Sequence, residues 1–84
     1  MESYFVSLRI EAVEASRALP RRQRESIYRF AHSLAANPSQ TSDHTETDSQ
    51  GRSREIKIVA DVAVVYYVDD ADREVRILDI RPAG

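Results

Sequence analysis

Residues 61–81 read DVAVVYYVDDADREVRILDIR, and this stretch leaves few choices for how the chain can fold. Val62, Val64, Tyr66 and Val68 alternate with Ala63, Val65 and Tyr67, so both sides of the run are largely apolar. That is the pattern of a central strand whose two faces are both covered. Asp69, Asp70, Asp72 and Arg73 then put four charges into five positions, which is turn chemistry. Val75, Ile77, Leu78 and Ile80 mark a second strand from Glu74 to Ile80. The two strands read as an antiparallel hairpin, and the rest of the chain must supply its cover.

Upstream, Tyr4, Val6 and Leu8 share one face of a short strand. From Ile10 to Leu19 the period becomes helical, with Ala12, Val13, Ser16 and Leu19 on one side and Glu11 and Glu14 near the N-terminal end, where the helix dipole favours acids. Pro20 stops this helix and suits the first turn of the next. In the second helix Ile27, Phe30, Ala31 and Leu34 form an apolar stripe, and Glu25 and Arg29 are spaced for an i,i+4 pair. Asn37-Pro38 ends it. Residues 38–53 contain no apolar side chain except proline, so they are expected to form a mobile, exposed loop that cannot offset its own ordering entropy by burial. Arg54 to Ala60 alternates again, with Ile56 and Ile58 expected inward and Glu55 and Lys57 outward, and Asp61 marks a turn. The expectation is an α+β fold in the order β-α-α-β-β-β, a helical hairpin packed on one face of a small antiparallel sheet. The far face of the central strand is expected to be covered in part by a partner or by a second copy, the second case making a homodimer.

Eighty-four residues make one domain, 1–84, whose single core is modest. The absence of cysteine removes disulfides and thiolate metal sites and suits a reducing cytoplasm. No run is long and apolar enough for a membrane span, and no signal peptide is expected. The formal net charge of −2 argues against general nucleic-acid binding, which normally needs a basic excess. Eleven of the twelve basic residues are arginine, the side chain that makes bidentate phosphate contacts, Lys57 being the exception. With two glycines in the chain, a phosphate-cradling loop is excluded. His44 with Asp43, Glu46 and Asp48 superficially offers metal ligands but lacks a rigid, apolar frame, so no metal and no cofactor is expected. His32, beside the apolar stripe, reads as a boundary residue rather than a general base.

The order of elements, together with the Leu19-Pro20 break, Asn37-Pro38, Val64-Val65-Tyr66-Tyr67-Val68-Asp69-Asp70 and the ending Val75, Ile77-Leu78, Ile80, Arg81, resembles the RelE/ParE superfamily of bacterial type II toxins. The resemblance covers nearly the whole chain except the polar loop. It implies the toxin component of a toxin–antitoxin module, associated with plasmid stabilisation and growth inhibition and neutralised by a cognate antitoxin protein that docks as an added strand or a helix in a groove. RelE-like members are ribosome-dependent mRNA endonucleases using Arg and Lys to stabilise phosphate charge; ParE-like members poison DNA gyrase by binding.

In the family the central strand usually opens D-Y-R-V-x-Y, with arginine two positions after the opening aspartate or glycine. Here it reads Asp61-Val62-Ala63-Val64-Val65-Tyr66, so alanine stands at the arginine position and one electrostatic contribution is missing. A C-terminal tail with a catalytic tyrosine is not expected, the sequence ending at Gly84. Arg81, Arg54 and Lys57 are the candidate catalytic residues on the ribonuclease reading. Tyr66, Tyr67, Arg21, Arg22 and Arg24 are the candidate partner contacts, with one of the two tyrosines expected in the core. For the basic residues the competing reading is a solvated surface. The leading expectation is inhibition by binding, ParE-like or degenerate; the alternatives are RNA cleavage, or a non-toxic interaction module that keeps only the fold.

Overall fold

A computed structural model describes residues 3–83. Strand β1 (Phe5–Leu8) leads into helices α1 (Ile10–Arg17) and α2 (Arg21–Ala36), followed by strands β2 (His44–Thr47), β3 (Ser53–Val59), β4 (Val62–Asp69) and β5 (Glu74–Pro82). The expected β-α-α-β-β-β order is present, with β2 as an additional strand inside the segment read as a loop. The sheet runs β1-β5-β4-β3-β2. It is mixed rather than wholly antiparallel, because β1 joins β5 in parallel through Val6↔Val75 and Leu8↔Ile77. The long connection from β1 to β5, made of both helices and the β2–β3–β4 meander, supplies the crossover that a parallel pair requires.

Leu19-Pro20 makes the helix hairpin, and Pro20 enters α2 at φ −56°. Ile27, Phe30 and Leu34 place the apolar stripe of α2 in the core, and Ala12 does the same for α1. They pack on Val62, Val64 and Tyr66 of β4 and on Val75, Ile77 and Ile80 of β5. Burying an aliphatic side chain of this size stabilises by about 1.5–3 kcal/mol each, so this face carries most of the fold's driving force. The ion pair on α2 is Arg21–Glu25 at 3.0 Å rather than the expected Glu25–Arg29, because Arg29 turns back to the Ser26 hydroxyl.

β5 solves a parity problem. Ile77 and Ile80 are three residues apart, yet both are buried. A register shift between Val65 and Tyr66 accounts for this: Val65 pairs with Asp79 and Tyr66 with Ile77, leaving Leu78 as the extra residue of a bulge.

β3 corrects an expectation. Ile56 pairs with Val65 and Ile58 with Ala63, whereas Lys57 pairs with Val64. Cross-strand partners share a face, so Ile56 and Ile58 lie on the side away from the helices and Lys57 on the helix side. Strict alternation gave the correct period and the wrong phase, because the apolar side of an edge-proximal strand here faces the less apolar side of the sheet.

The segment 38–53 is ordered by hydrogen bonds rather than by burial. The Asp48 carboxylate accepts the backbone N–H groups of Gln50 and Arg52, each at 2.9 Å, and the Asp48 N–H donates to the Arg52 carbonyl. Gly51 sits at φ +80°, which a β-carbon would strain. β2 then pairs with β3 in register from His44↔Ile56 to Thr47↔Ser53. Among the described residues no helix is long and apolar enough to cross a membrane.

Candidate functional site

The helix-free face of the sheet collects the chemistry. Register places Ala63, Val65 and Tyr67 of β4 there, flanked by Arg76, Asp79 and Arg81 on β5, by Arg54, Ile56 and Ile58 on β3, and by His44 and Glu46 on β2. The segment Ser7 to Arg9, at the end of β1, and the β2–β3 turn border one concavity. Between them lies a pocket of about 280 Å³ lined by Arg9, Arg52, Arg54, Tyr67, Arg76 and Leu78 among others. Four guanidinium groups around one concavity form a surface suited to anionic oxygens.

Each of these arginines has a carboxylate beside it. Arg52 Nε lies 3.2 Å from Asp48 Oδ2, and Arg54 Nη2 lies 3.9 Å from the same oxygen. Arg76 Nε meets Glu74 at 2.7 Å, with its guanidinium carbon 5.8 Å from the Tyr67 ring centre in a cation–π contact. Arg9 Nε lies 3.6 Å from Glu11, and Arg81 Nη2 reaches Glu46 at 3.5 Å. Arg54 Nε is buried and, among the described residues, has no hydrogen-bond partner.

The neighbours leave their mark on the acids. The Arg52 backbone N–H, with those of Gln50 and the Arg52 guanidinium adding to it, holds the Asp48 carboxyl below the usual aspartate range against its partial desolvation. The hydrogen bond from Arg76, aided by one from Ser7, lowers Glu74, and Glu74 in turn raises Arg76.

Of the three candidate catalytic residues, Arg54 and Arg81 share this face. Glu46 pairs with Arg81 and stands opposite Arg54 in the β2–β3 register, while the ion-pair partner of Arg54 is Asp48. Lys57 is not brought to them. It lies on the helix side of β3, 3.9 Å from Asp43. Ala63 occupies the middle of the face, opposite Arg81 on one side and Ile58 on the other.

The candidate partner contacts divide similarly. Tyr66 is the core tyrosine, fully buried against Phe30, with burial first and the charges of Glu55 and Asp43 next pushing its hydroxyl pKa up. It is therefore removed as a surface contact, and Tyr67, partly buried on the open face, is the accessible one. Arg21 and Arg22 are exposed and Arg24 half-buried at the start of α2, on the opposite side of the sheet from Arg54 and Arg81. Ala63 and Val65 are 6% and 1% exposed in the single chain, so the apolar far side of β4 does not call for a second copy. Sequence reading missed Arg9, Arg76, Glu46 and Asp48 as members of one surface. Their convergence depends on the parallel β1–β5 pairing and on β2, neither of which has a local signal.

No family model and no curated protein matches the sequence. Solved structures do match the fold. The chain superimposes on the archaeal RelE–RelB complex from Pyrococcus horikoshii OT3 with a TM-score of 0.82 at 21% identity, covering 98% of this chain and 97% of that one. The toxin–antitoxin complex RelBE2 from Mycobacterium tuberculosis gives 0.77 at 20% identity, covering 95% and 98%. The isolated E. coli RelE toxin gives 0.68 at 17% identity, covering 98% and 86%. The architecture is a helix hairpin on a five-stranded sheet, the one these structures share. More particularly, the chain has the RelE fold along almost its entire length.

Proposed function

We propose that this chain is the toxin component of a two-protein toxin–antitoxin module, restrained by a cognate antitoxin in the cytoplasm, and that it acts by binding its target rather than by cutting RNA. Support for the module comes from its likeness in fold to toxins solved in complex with RelB-type antitoxins. The observation that carries the mechanism is Ala63. It stands directly opposite Arg81 on the basic face, at the position where the family resemblance places an arginine that would meet developing phosphate charge. Lys57, turned to the other side of the sheet, does not replace it. What remains is a rim of arginines fit to hold an anionic surface in place.

The test is ribosome-dependent cleavage of mRNA by purified, folded protein at concentrations that arrest growth. Absence of cleavage supports the binding reading, with DNA gyrase inhibition the next assay. Cleavage that is lost in Arg81→Ala and Arg54→Ala would establish the second reading, an endonuclease, which the arginine-lined pocket beside Tyr67 favours.

A further inference from the structure

The basic face is occupied in the resting protein by the chain's own acids. Arg81 Nη2 pairs with Glu46 at 3.5 Å, and Arg52 and Arg54 share the Asp48 carboxylate at 3.2 and 3.9 Å. Both acids belong to one arm, β2 and the turn that follows it. The two differ in kind. Asp48 is nearly buried and caps its turn through two backbone N–H groups, so it is part of the framework. Glu46 is half-exposed, and its side chain has Arg81 as its ion-pair partner with Arg54 opposite it in register.

The arm that carries Glu46 is lightly held. β2 has four residues, none of them buried, and it forms the outer edge of the sheet against β3. Short edge elements with few apolar contacts open at low free energy. Arginine, for its part, binds a phosphate as readily as a carboxylate, in the same two-pronged geometry.

We propose that Glu46 is an internal stand-in for a phosphodiester group: it fills an anion site between Arg81 and Arg54, and an incoming nucleic-acid backbone must displace it. The β2 arm thus sets a threshold for occupancy of the face. This inference rests on the reading of that face as the working surface of the protein. It accounts for a chain that is acidic overall and yet gathers guanidinium groups on one concave side. Glu46 acts here as a positioning and competing residue and is not itself catalytic.

The experiment measures binding of a short, mixed-sequence single-stranded RNA to the full chain by fluorescence anisotropy over a range of salt. The variants are Glu46→Gln and, as a matched charge change on the other side of the molecule, Glu25→Gln. Glu46→Gln is expected to bind about three- to tenfold more tightly than the parent at low salt. Its log–log salt slope should steepen by about 0.7, the increment for one more phosphate neutralised on a single strand. Glu25→Gln should bind like the parent, and Glu46→Gln placed in an Arg81→Ala background should bind no more tightly than Arg81→Ala alone. Unchanged affinity in Glu46→Gln, or an equal increase in Glu25→Gln, overturns the proposal. Coincident melting curves for the parent and Glu46→Gln establish that the fold is unchanged. Growth arrest distinguishes the two readings: arrest by the parent, with RNA affinity unchanged in Glu46→Gln, removes the stand-in and keeps the toxin. Tighter RNA binding by Glu46→Gln without arrest by either protein removes the toxin reading.

Discussion

Phe30 of α2 meets Tyr66 of β4 edge to face in the core, with ring centres 5.7 Å apart and planes inclined at 67°. Such a contact adds about 0.5–1.5 kcal/mol to the burial of the two rings. The Tyr66 hydroxyl, however, is buried and has no hydrogen-bond partner among the described residues. Tyr66→Phe is therefore expected to be neutral or stabilising by up to about 1 kcal/mol, since it removes an unsatisfied group and keeps the ring. Phe30→Ala should cost about 3–5 kcal/mol. Urea denaturation of the two variants checks both values. A loss of about 2 kcal/mol or more in Tyr66→Phe would show that the hydroxyl has a partner after all.

The β3–β4 hairpin turns through Ala60 at φ 51° and Asp61 at φ 66°, two left-handed residues of which neither is glycine. Positive φ at both central positions defines a type I′ turn, which favours glycine at the second. The Gln23 side chain donates to the Ala60 carbonyl at 2.8 Å and holds the turn against α2. Asp61→Gly should raise stability by about 0.5–1 kcal/mol, seen as a higher melting midpoint. A lower midpoint would mean that the Asp61 side chain contributes more than its backbone strain removes.

Much of this molecule is legible in its sequence, and what is hidden has a physical reason. The α2 stripe of Ile27, Phe30 and Leu34 and the two-sided run from Val62 to Val68 are periodic over enough residues to announce both element and burial. Asn37-Pro38 and Leu19-Pro20 mark the helix ends. β2 is silent because its four residues, His44 to Thr47, carry no apolar alternation; they are ordered by pairing with β3 and by the Asp48 turn. The phase of β3 is equally hidden, since Ile56 and Ile58 on one side and Val59 on the other leave both assignments open. Of the candidate site, sequence reading named Arg54 and Arg81, which share a face, and Lys57, which does not join them for want of a single step in phase.

Acid should act through Asp48. Its carboxyl is held below the ordinary aspartate value of 3.8, chiefly by the Arg52 backbone N–H. A group whose folded pKa is depressed contributes stability above its unfolded pKa and loses it as pH falls through the folded one. Asp48→Asn should consequently melt below the parent at neutral pH, and the gap should close as the pH is taken below 3.8. Melting curves at neutral and acidic pH decide this. A gap that stays constant with pH would assign the role of Asp48 to its shape rather than its charge.

Ala63→Arg places a second guanidinium directly across from Arg81 at a site only 6% exposed. Overpacking of this kind costs about 1–3 kcal/mol, with like-charge repulsion added. If the face works by binding, the folded variant still shows no ribosome-dependent mRNA cleavage. Cleavage by this variant would identify a ribonuclease scaffold that lacks one charge. Lys57→Ala, on the opposite side of the sheet, should leave any growth phenotype as it is, whereas Arg81→Ala should weaken it.

The most direct measurement is growth of a bacterial culture on tightly induced expression of this chain, with soluble yield followed in parallel. A toxin working through its basic face should arrest growth at modest expression, and Arg81→Ala made to the same soluble level should relieve the arrest. Normal growth with abundant soluble, folded protein would contradict the toxin reading and leave the basic face without a toxic role.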